Sequence, residues 1–510
     1  MMAEGMIMLV NAIEEEETRI ALVKNGRLDD YYIERADRET LVGSIYKGKV
    51  ENVHASLQAA FVNIGLPKNA FLHVSEVHLP GEVKPPPGRR NRGPRRPRRL
   101  IQNLLKVGDE IQVQVIRDAF GEKGPSVTMD ISVAGRFLVL TPFTPKVGIS
   151  KKIEHPRERA KLRQLIKNMK PADGDIGFIV RTASADTKEE DMRADLDYLV
   201  SIWKTVQNRA ESAPSPSNLY QETDIVLRTI RDFFTPEIKK VVVDDPTVHG
   251  RLCEFFGKLM PRFRDRLQFK GGPTPIFHEY GIEDRIEQLH QKRVDLPSGG
   301  SLVMEVTEAL TSIDVNSGRL VRESDPEELA IRTNREAAKE VMKQLRLRDV
   351  GGIIVIDFID MRLEKHKREV EKVARGESAR DRSQMVILPM SQFCLMQIAR
   401  QKVRPSVQFF SHEPCPSCNG SGIIKNIASI GLEIVRELKN TLERQDVSVV
   451  EARVSREVAD FLKSRMEEVQ AAEERYKKRI HVSVGRDLPT NRVEFSCYSD
   501  TGEKVVDFVR

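Results

Sequence analysis

The spacing of apolar and polar positions divides this 510-residue chain into stretches of short β-type runs and stretches of helical period. Ile7–Val10 and Thr18–Val23 are β-rich runs joined by an acidic turn. Two strands are too few to fold alone, so they need a partner elsewhere in the chain. Between Gly43 and Ile116 short runs recur (Ile45–Val53, Ala59–Ile64, Ala70–Val74, Glu110–Ile116), the pattern of a small barrel. Arg157–Met169 has a basic helical pattern, and Gly177–Val180 reads as a buried strand. Asp191–Gln207 predicts a helix with Leu196, Leu199, Val200, Trp203 and Val206 on one face, and Ser212–Ser217 reads as a linker. Lys240–Val243 and Val248–Leu259 predict a strand and a helix, and this segment is the candidate partner for the N-terminal strands.

The most informative pattern follows. Ser301–Asp314 has strand chemistry. Asp325-Pro326-Glu327-Glu328 is a helix start, with an N-cap carboxylate and proline at the first helical position, and the helix should run to about Arg348. Gly351-Gly352 breaks it, and Ile353–Ile356 is a continuous apolar run ending at Asp357. Strand, helix and buried strand predict a βαβ unit and hence a covered parallel sheet. Pro414–Gly422 is a tight Cys/Gly segment, and the remainder reads as a small α+β domain.

Composition adds bounds. Length suggests about three or four structural units. With 40% hydrophobic and 31% charged residues, wholesale disorder is excluded. The net charge is +6, but Lys84–Arg99 alone carries eight cations, five prolines and no acid, so the rest of the chain is slightly acidic. That run predicts an extended loop with nonspecific affinity for a phosphate backbone. Five cysteines exclude a disulfide scaffold and fit a reducing, cytoplasmic setting. The N-terminus has no basic region followed by a long apolar one, so no signal peptide is expected. No uncharged stretch approaches the ~18 residues of a membrane span.

Candidate chemistry lies in four places. Asp314 and Asn316, two apart on a strand, share a face, and Asp357 ends the neighbouring strand. Parallel strands bring their carboxyl ends to one edge, where two carboxylates would suit Mg²⁺; capping of a following turn is the open alternative for each. Asp360 is a further acid, for which a cap is the more ordinary role. Cys415-Pro416-Ser417-Cys418 offers two of the four thiolates a structural zinc needs, with His412 nearby and no second CxxC in the chain. Either the site holds no metal, or two chains share one zinc. Phe61 and Phe71 lie on barrel strands, with His73 two residues beyond, and either stack bases or fill the core. Lys123 lies in a turn, and Arg181-Thr182 at a strand end could grip phosphate.

At these residues the chain resembles the ribonuclease E/G family. The likeness runs in order through Ile45–Lys49, Ala59–Val62, Leu296–Gly300, Glu308–Leu310, Asp314–Ser317, Gln344–Asp349, Ile354–Met361 and the Cys415/Cys418 link. It implies an α/β multidomain architecture: an RNase H-like subdomain (1–39 and 226–289) into which an S1 (OB-fold) RNA-binding barrel is inserted (40–130). A 5′-sensor region (131–225), a DNase I-like catalytic subdomain (290–410), a zinc link (411–425) and a small C-terminal domain (426–510) complete it.

The resemblance further implies one catalytic Mg²⁺ per chain on Asp314 and Asp357 with Asn316 as helper, and RNA contacts from Phe61, Phe71 and Lys123. It implies a 5′-monophosphate pocket of Gly135, Val139, Arg181 and Thr182, and one Zn²⁺ shared by Cys415 and Cys418 of two chains. The expected activity is cleavage of single-stranded RNA to 5′-phosphate and 3′-hydroxyl ends, in ribosomal RNA maturation and messenger RNA decay, by a homodimer that could pair into a tetramer. Two features depart from the pattern. Gln384 stands where the pocket should receive a basic residue, and the run at 84–99 is longer than expected. No scaffold tail like that of E-type members is expected after the small domain, and the shorter G-type is the nearer likeness. A non-catalytic S1-type RNA-binding protein and a DNA nuclease are the competing expectations.

Overall fold

The computed structural model describes residues 5–38, 40–78, 99–119, 123–144, 147–150, 153, 155–169, 176–184, 187–222, 225–318, 325–402, 404–418, 420–485 and 488–509. The basic run, apart from Arg99, lies outside the described residues. The chain forms two compact units, Met1–Phe410 and Ser411–Arg510.

In the first unit, Met6–Asn11 pairs antiparallel with Glu17–Lys24 and parallel with Ile238–Val243, so the early strands gain their partner from far along the chain. A third strand, Arg27–Arg35, was not expected. Its charges hide the β pattern, yet Tyr31 and Tyr32 are buried in it. The barrel closes through five strands: Ile45–His54, Ala59–Asn63, Ala70–His73, Ser126–Thr128 and Glu110–Arg117, the last returning to the first. Its core takes Val50, Ala60, Val62, Leu72, Val113 and Val115. The Ser/Pro stretch is not simply a linker. The helix before it runs Glu189–Ser212, and Ser217–Tyr220 adds a strand to the barrel edge.

A four-stranded sheet follows, in the order Val147–Ile149, Gly177–Val180, Leu138–Thr141 and Val133–Ala134, packed by the helices Pro156–Met169 and Glu189–Ser212.

The expected covered parallel sheet is corrected. The strands Arg293–Asp295, Ser301–Val306, Leu310–Asn316, Gly352–Asp357, Leu395–Arg400 and Met385–Ile387 form one sheet in that order, and among the described residues only Leu310–Asn316 and Gly352–Asp357 run parallel. The helices Pro326–Leu347 and Glu364–Ser378 pack with the sheet in one core, where Ile313, Val315, Ile354 and Ile356 meet Ala337, Val341 and Val370. Alternation along the strands turns Asp314, Asn316, Ile353 and Asp357 to the opposite face, where they are exposed. The hairpins flanking the βαβ unit explain the difference: the neighbours return antiparallel, and an antiparallel-rich sheet can leave one face to solvent.

The second unit packs the helices Ile427–Leu442, Arg456–Lys463 and Met466–Tyr476 with a sheet ordered Arg479–Val484, Val449–Val454, Glu494–Tyr498 and Lys504–Val509. Among the described residues, no helix is long and apolar enough to cross a membrane.

Candidate functional site

Asp314 pairs in register with Asp357 across the parallel strands. Both side chains therefore leave the same face from neighbouring backbones, and both are exposed. Asn316 Nδ2 donates to Asp314 Oδ2 at 2.7 Å, which fixes that carboxylate's rotation. The backbone beneath is locked from three sides. Asn334, fully buried on the long helix, donates to the Ile359 carbonyl at 2.8 Å and accepts from the Ile359 amide at 3.0 Å, clamping the loop just after Asp357. Glu327 accepts from the Arg362 and Leu363 amides and bonds His366 at 2.8 Å. Gly300 packs against the end of the Asp314 strand, where a Cβ would stand 2.7 Å from the Asn316 carbonyl oxygen; this explains the glycine in Leu296–Gly300.

Asp325 caps its helix as the pattern predicts, accepting from the Glu327 amide at 3.0 Å. Asp360 does not cap the next helix, whose N-cap is Leu363. No group of three or more His, Cys, Asp or Glu side chains forms a metal cluster among the described residues. The catalytic candidates thus amount to two carboxylates with an amide beside one of them. That donor set, all oxygen and open to solvent, fits Mg²⁺, which keeps several positions for water or phosphate.

Gly135, Val139, Arg181 and Thr182 are brought close by strand pairing. Val139 lies opposite Ile179, and the Arg181 amide bonds the Phe137 carbonyl at 2.8 Å. Arg181 donates to the Gly135 carbonyl at 2.6 Å and meets Asp232 at 2.7 Å. Thr182 is exposed and starts a short 3₁₀ turn. A Cβ on Gly135 would come within 2.5 Å of Asp195 Oδ2.

Asp195 is the organiser of this region: fully buried, it accepts from the Arg136, Phe137 and Leu138 amides at 2.8–2.9 Å. Burial still pushes its carboxyl above the ordinary range against those three donors. Burial would also raise Asp232, but the charges of Arg231 and Arg181 outweigh it and hold that carboxyl at about 2. Arg136 is drawn down to about 10, by burial first and then by the charges of Arg181 and Arg382.

Gln384, the position singled out in the sequence, is exposed, and its carbonyl accepts from the Gln401 amide at 2.9 Å. Arg382, two residues earlier, is the side chain that reaches this region. Its guanidinium lies 3.8 Å over the Phe233 ring and donates to the Asp232 carbonyl. Arg181 and Arg382 therefore both hang on Asp232, one on its carboxylate and one on its backbone.

On the barrel, Phe61 and Phe71 are cross-strand neighbours with ring centroids 5.9 Å apart, and both stay outside the core. Lys123 is exposed. Two residues beyond it, the Pro125 carbonyl accepts from the Phe71 amide at 2.8 Å, which brings this segment to the same strand.

In the second unit Cys415 is exposed and Cys418 half-buried. Gly422 donates its amide to Cys418 Sγ at 3.4 Å, and donors from Gly422, then Gly420, draw the Cys418 thiol below its usual range. Both glycines have positive φ, so a helix does not start here. A turn that turns amides toward sulfur favours thiolate, the form zinc binds.

Residues 132–403 match the family model described as Ribonuclease E/G family, and 414–497 match RNase E/G, Thioredoxin-like domain. The chain is 38% identical to Ribonuclease E of Haemophilus influenzae over 94% of its own length and 50% of that relative. It is 37% identical to Ribonuclease G of the same organism over 84% of this chain and 86% of the relative. With Ribonuclease G of Salmonella typhimurium the figures are 34% over 94% of this chain and 96% of the relative. The chain belongs to the ribonuclease E/G family. It spans about half the length of the Ribonuclease E relatives and most of the Ribonuclease G ones.

Within this ribonuclease E/G chain, sequence reasoning missed Asp195, Asn334 and Arg382. Asp195 had a signal: it falls in the stripe Met192, Leu196, Leu199, Trp203, and an acid inside an apolar stripe must be satisfied internally. Asn334 sits likewise among buried Ala330, Ile331, Ala337 and Ala338. Arg382 had none, because its partners lie at 232 and 233.

Proposed function

We propose that the protein is an endoribonuclease acting on single-stranded RNA, with Mg²⁺ held by Asp314 and Asp357. The observation that carries this reading is the register of those two aspartates, side by side and exposed on the open face of the sheet. Two like charges held so close are offset by a hard cation. Such an ion, when bound, supplies Lewis acidity toward water and phosphate oxygens. Asn316 orients the Asp314 carboxylate, and Asn334 keeps Asp357 in place through the loop after it. In-line attack by water on the scissile phosphorus breaks the bond to the 3′ oxygen, which takes up a proton, leaving 5′-phosphate and 3′-hydroxyl ends. Phe61, Phe71 and Lys123 hold the single strand by stacking and charge.

The cluster of Gly135, Val139, Arg181 and Thr182 receives a 5′-monophosphate, and Arg382 brings the cation that Gln384 does not. Cys415 and Cys418 give two thiolates to a zinc completed by a second chain, which makes the protein a homodimer. Ribosomal RNA maturation and messenger RNA decay in the cytoplasm are the roles this activity suits.

The test is cleavage of matched 5′-monophosphate and 5′-hydroxyl RNAs with Mg²⁺ or EDTA. Cleavage should need Mg²⁺, run faster on the monophosphate and disappear in Asp314→Asn. Binding without cleavage by the wild-type chain would make it a non-catalytic RNA-binding protein, and equal cleavage of matched DNA would remove the RNA restriction. Equal rates on the two RNAs would end the sensing claim. Cys415→Ser should release zinc and shift the mass toward monomer; a dimer that persists without zinc would refute the shared site.

A further inference from the structure

The turn that leads into the strand Leu395–Arg400 lies next to the two aspartates, because Leu395 pairs in register with Asp357. Cys394, Met396 and Ile398 enter the core, so the odd positions leave the strand on the other side. Phe393 comes just before them and is 76% exposed.

A phenyl ring left in water is ordinary on a loose loop. This loop is tightly bonded. The Ser391 amide donates to the Leu395 carbonyl at 2.9 Å, the Cys394 amide to the Ser391 carbonyl at 3.1 Å, and the Leu395 amide to Ser391 Oγ at 3.2 Å. From the helix Glu364–Ser378, Glu371 accepts from the Met390 amide at 2.7 Å, and the buried Lys367 donates to the Gln392 carbonyl at 3.3 Å. Cys394 closes the turn at φ +57°, a left-handed conformation that residues other than glycine seldom adopt. It is held there by the loop that follows Asp357. The Cys394 carbonyl accepts from the Phe358 amide at 3.3 Å, and its sulfur accepts from the Met361 amide at 3.3 Å and lies 3.8 Å from the Met361 carbonyl oxygen. The backbones that carry Phe393 and Asp357 are thus bonded into one piece. Strain of this kind persists where the surroundings over-determine it, and it gathers at working sites.

We infer that Phe393 is a substrate-positioning residue whose ring stacks on the base next to the scissile phosphate. This rests on the ribonuclease reading of Asp314 and Asp357. A phosphodiester at that pair brings a base on either side of it, and every base has an apolar face to stack. The exposed carboxylates beside the ring suit such a ligand better than the dry, charge-poor centre of a contact with a second copy of this chain. Stacking takes any base, so Phe393 fixes the approach of the phosphate and not the sequence.

The test is single-turnover cleavage with Mg²⁺ of an RNA whose cut has been mapped with the wild-type chain, and of two copies of it with an abasic ribose on one side of the cut or the other. Phe393→Ala should cleave the intact RNA about tenfold more slowly, and Phe393→Trp should restore the rate. One abasic RNA should slow the wild-type chain by a similar factor and slow Phe393→Ala no further, because both changes remove the same contact. A merely structural role gives no such coupling. The ring is exposed, so its loss opens no cavity and the melting temperature should hold. If the wild-type chain cuts and Phe393→Ala cuts within twofold of it, or if the two losses multiply, the inference falls and the ribonuclease reading stands. If the wild-type chain cuts no RNA, that reading falls and takes the inference with it. A Phe393→Ala chain that cuts normally while its mass shifts toward monomer would assign the ring to a contact between copies, and would overturn the stacking assignment.

Discussion

Asp195 and the Asp314–Asp357 pair put the same functional group to opposite uses. Asp195 is closed off from solvent, saturated by three backbone amides, and so tightly enclosed that the neighbouring residue at 135 has no room for a Cβ. Asp314 and Asp357 are exposed, held side by side by strand register, and met on one side by a single amide. A carboxylate that is buried and fully bonded shapes the chain around it. A pair that is rigidly mounted and left open is arranged for something to arrive.

That contrast can be broken by experiment. The largest effect should follow Asp357→Asn, with cleavage falling about 10²–10³-fold while the melting temperature and RNA affinity hold, read by single-turnover kinetics and calorimetry. A variant that also unfolds would make the open pair structural. Asp195→Ala should do the reverse. Stranding three buried amides should cost about 3 kcal/mol in urea unfolding, with the rate per folded molecule little changed.

Acid should separate the regions next. Asp232 is held at about 2 in the fold against an ordinary 3.8, so its contribution is present above the unfolded value and is lost as pH falls through about 2. Asp232→Asn should remove on the order of 2 kcal/mol at pH 7 and flatten the stability profile between pH 4 and 2. The smallest effect belongs to Asn316→Ala, about tenfold in cleavage, because it orients the Asp314 carboxylate and is not itself one of the two proposed metal-holding acids. A loss as large as that of Asp357→Asn would promote it to a direct role.

Chemistry that repeats locally was legible in the sequence. The two-residue spacing of Asp314 and Asn316 placed them on one face, and Asp325-Pro326 marked its helix. The sheet itself was misread. The run Ile353–Ile356 is apolar throughout, the usual sign of a strand buried on both sides, yet Ile353 is 56% exposed. Apolar runs report what a strand could bury, and topology decides what it does bury. Arg382 was out of reach for a related reason. Its partners are an aromatic ring and a carbonyl about 150 positions earlier, and nothing in the local pattern around Arg382-Ser383-Gln384 separates the first residue from the third.

The parallel pairing of Leu310–Asn316 with Gly352–Asp357 has a temporal consequence. The two acids become neighbours only after the intervening helix has folded back and the later strand has docked. On the proposed reading, a nascent chain that has not yet emerged as far as Asp357 carries only half of the metal site. The RNA nearest to the protein during its synthesis is its own message, and under that proposal it would meet the completed pair only when translation of that segment is over.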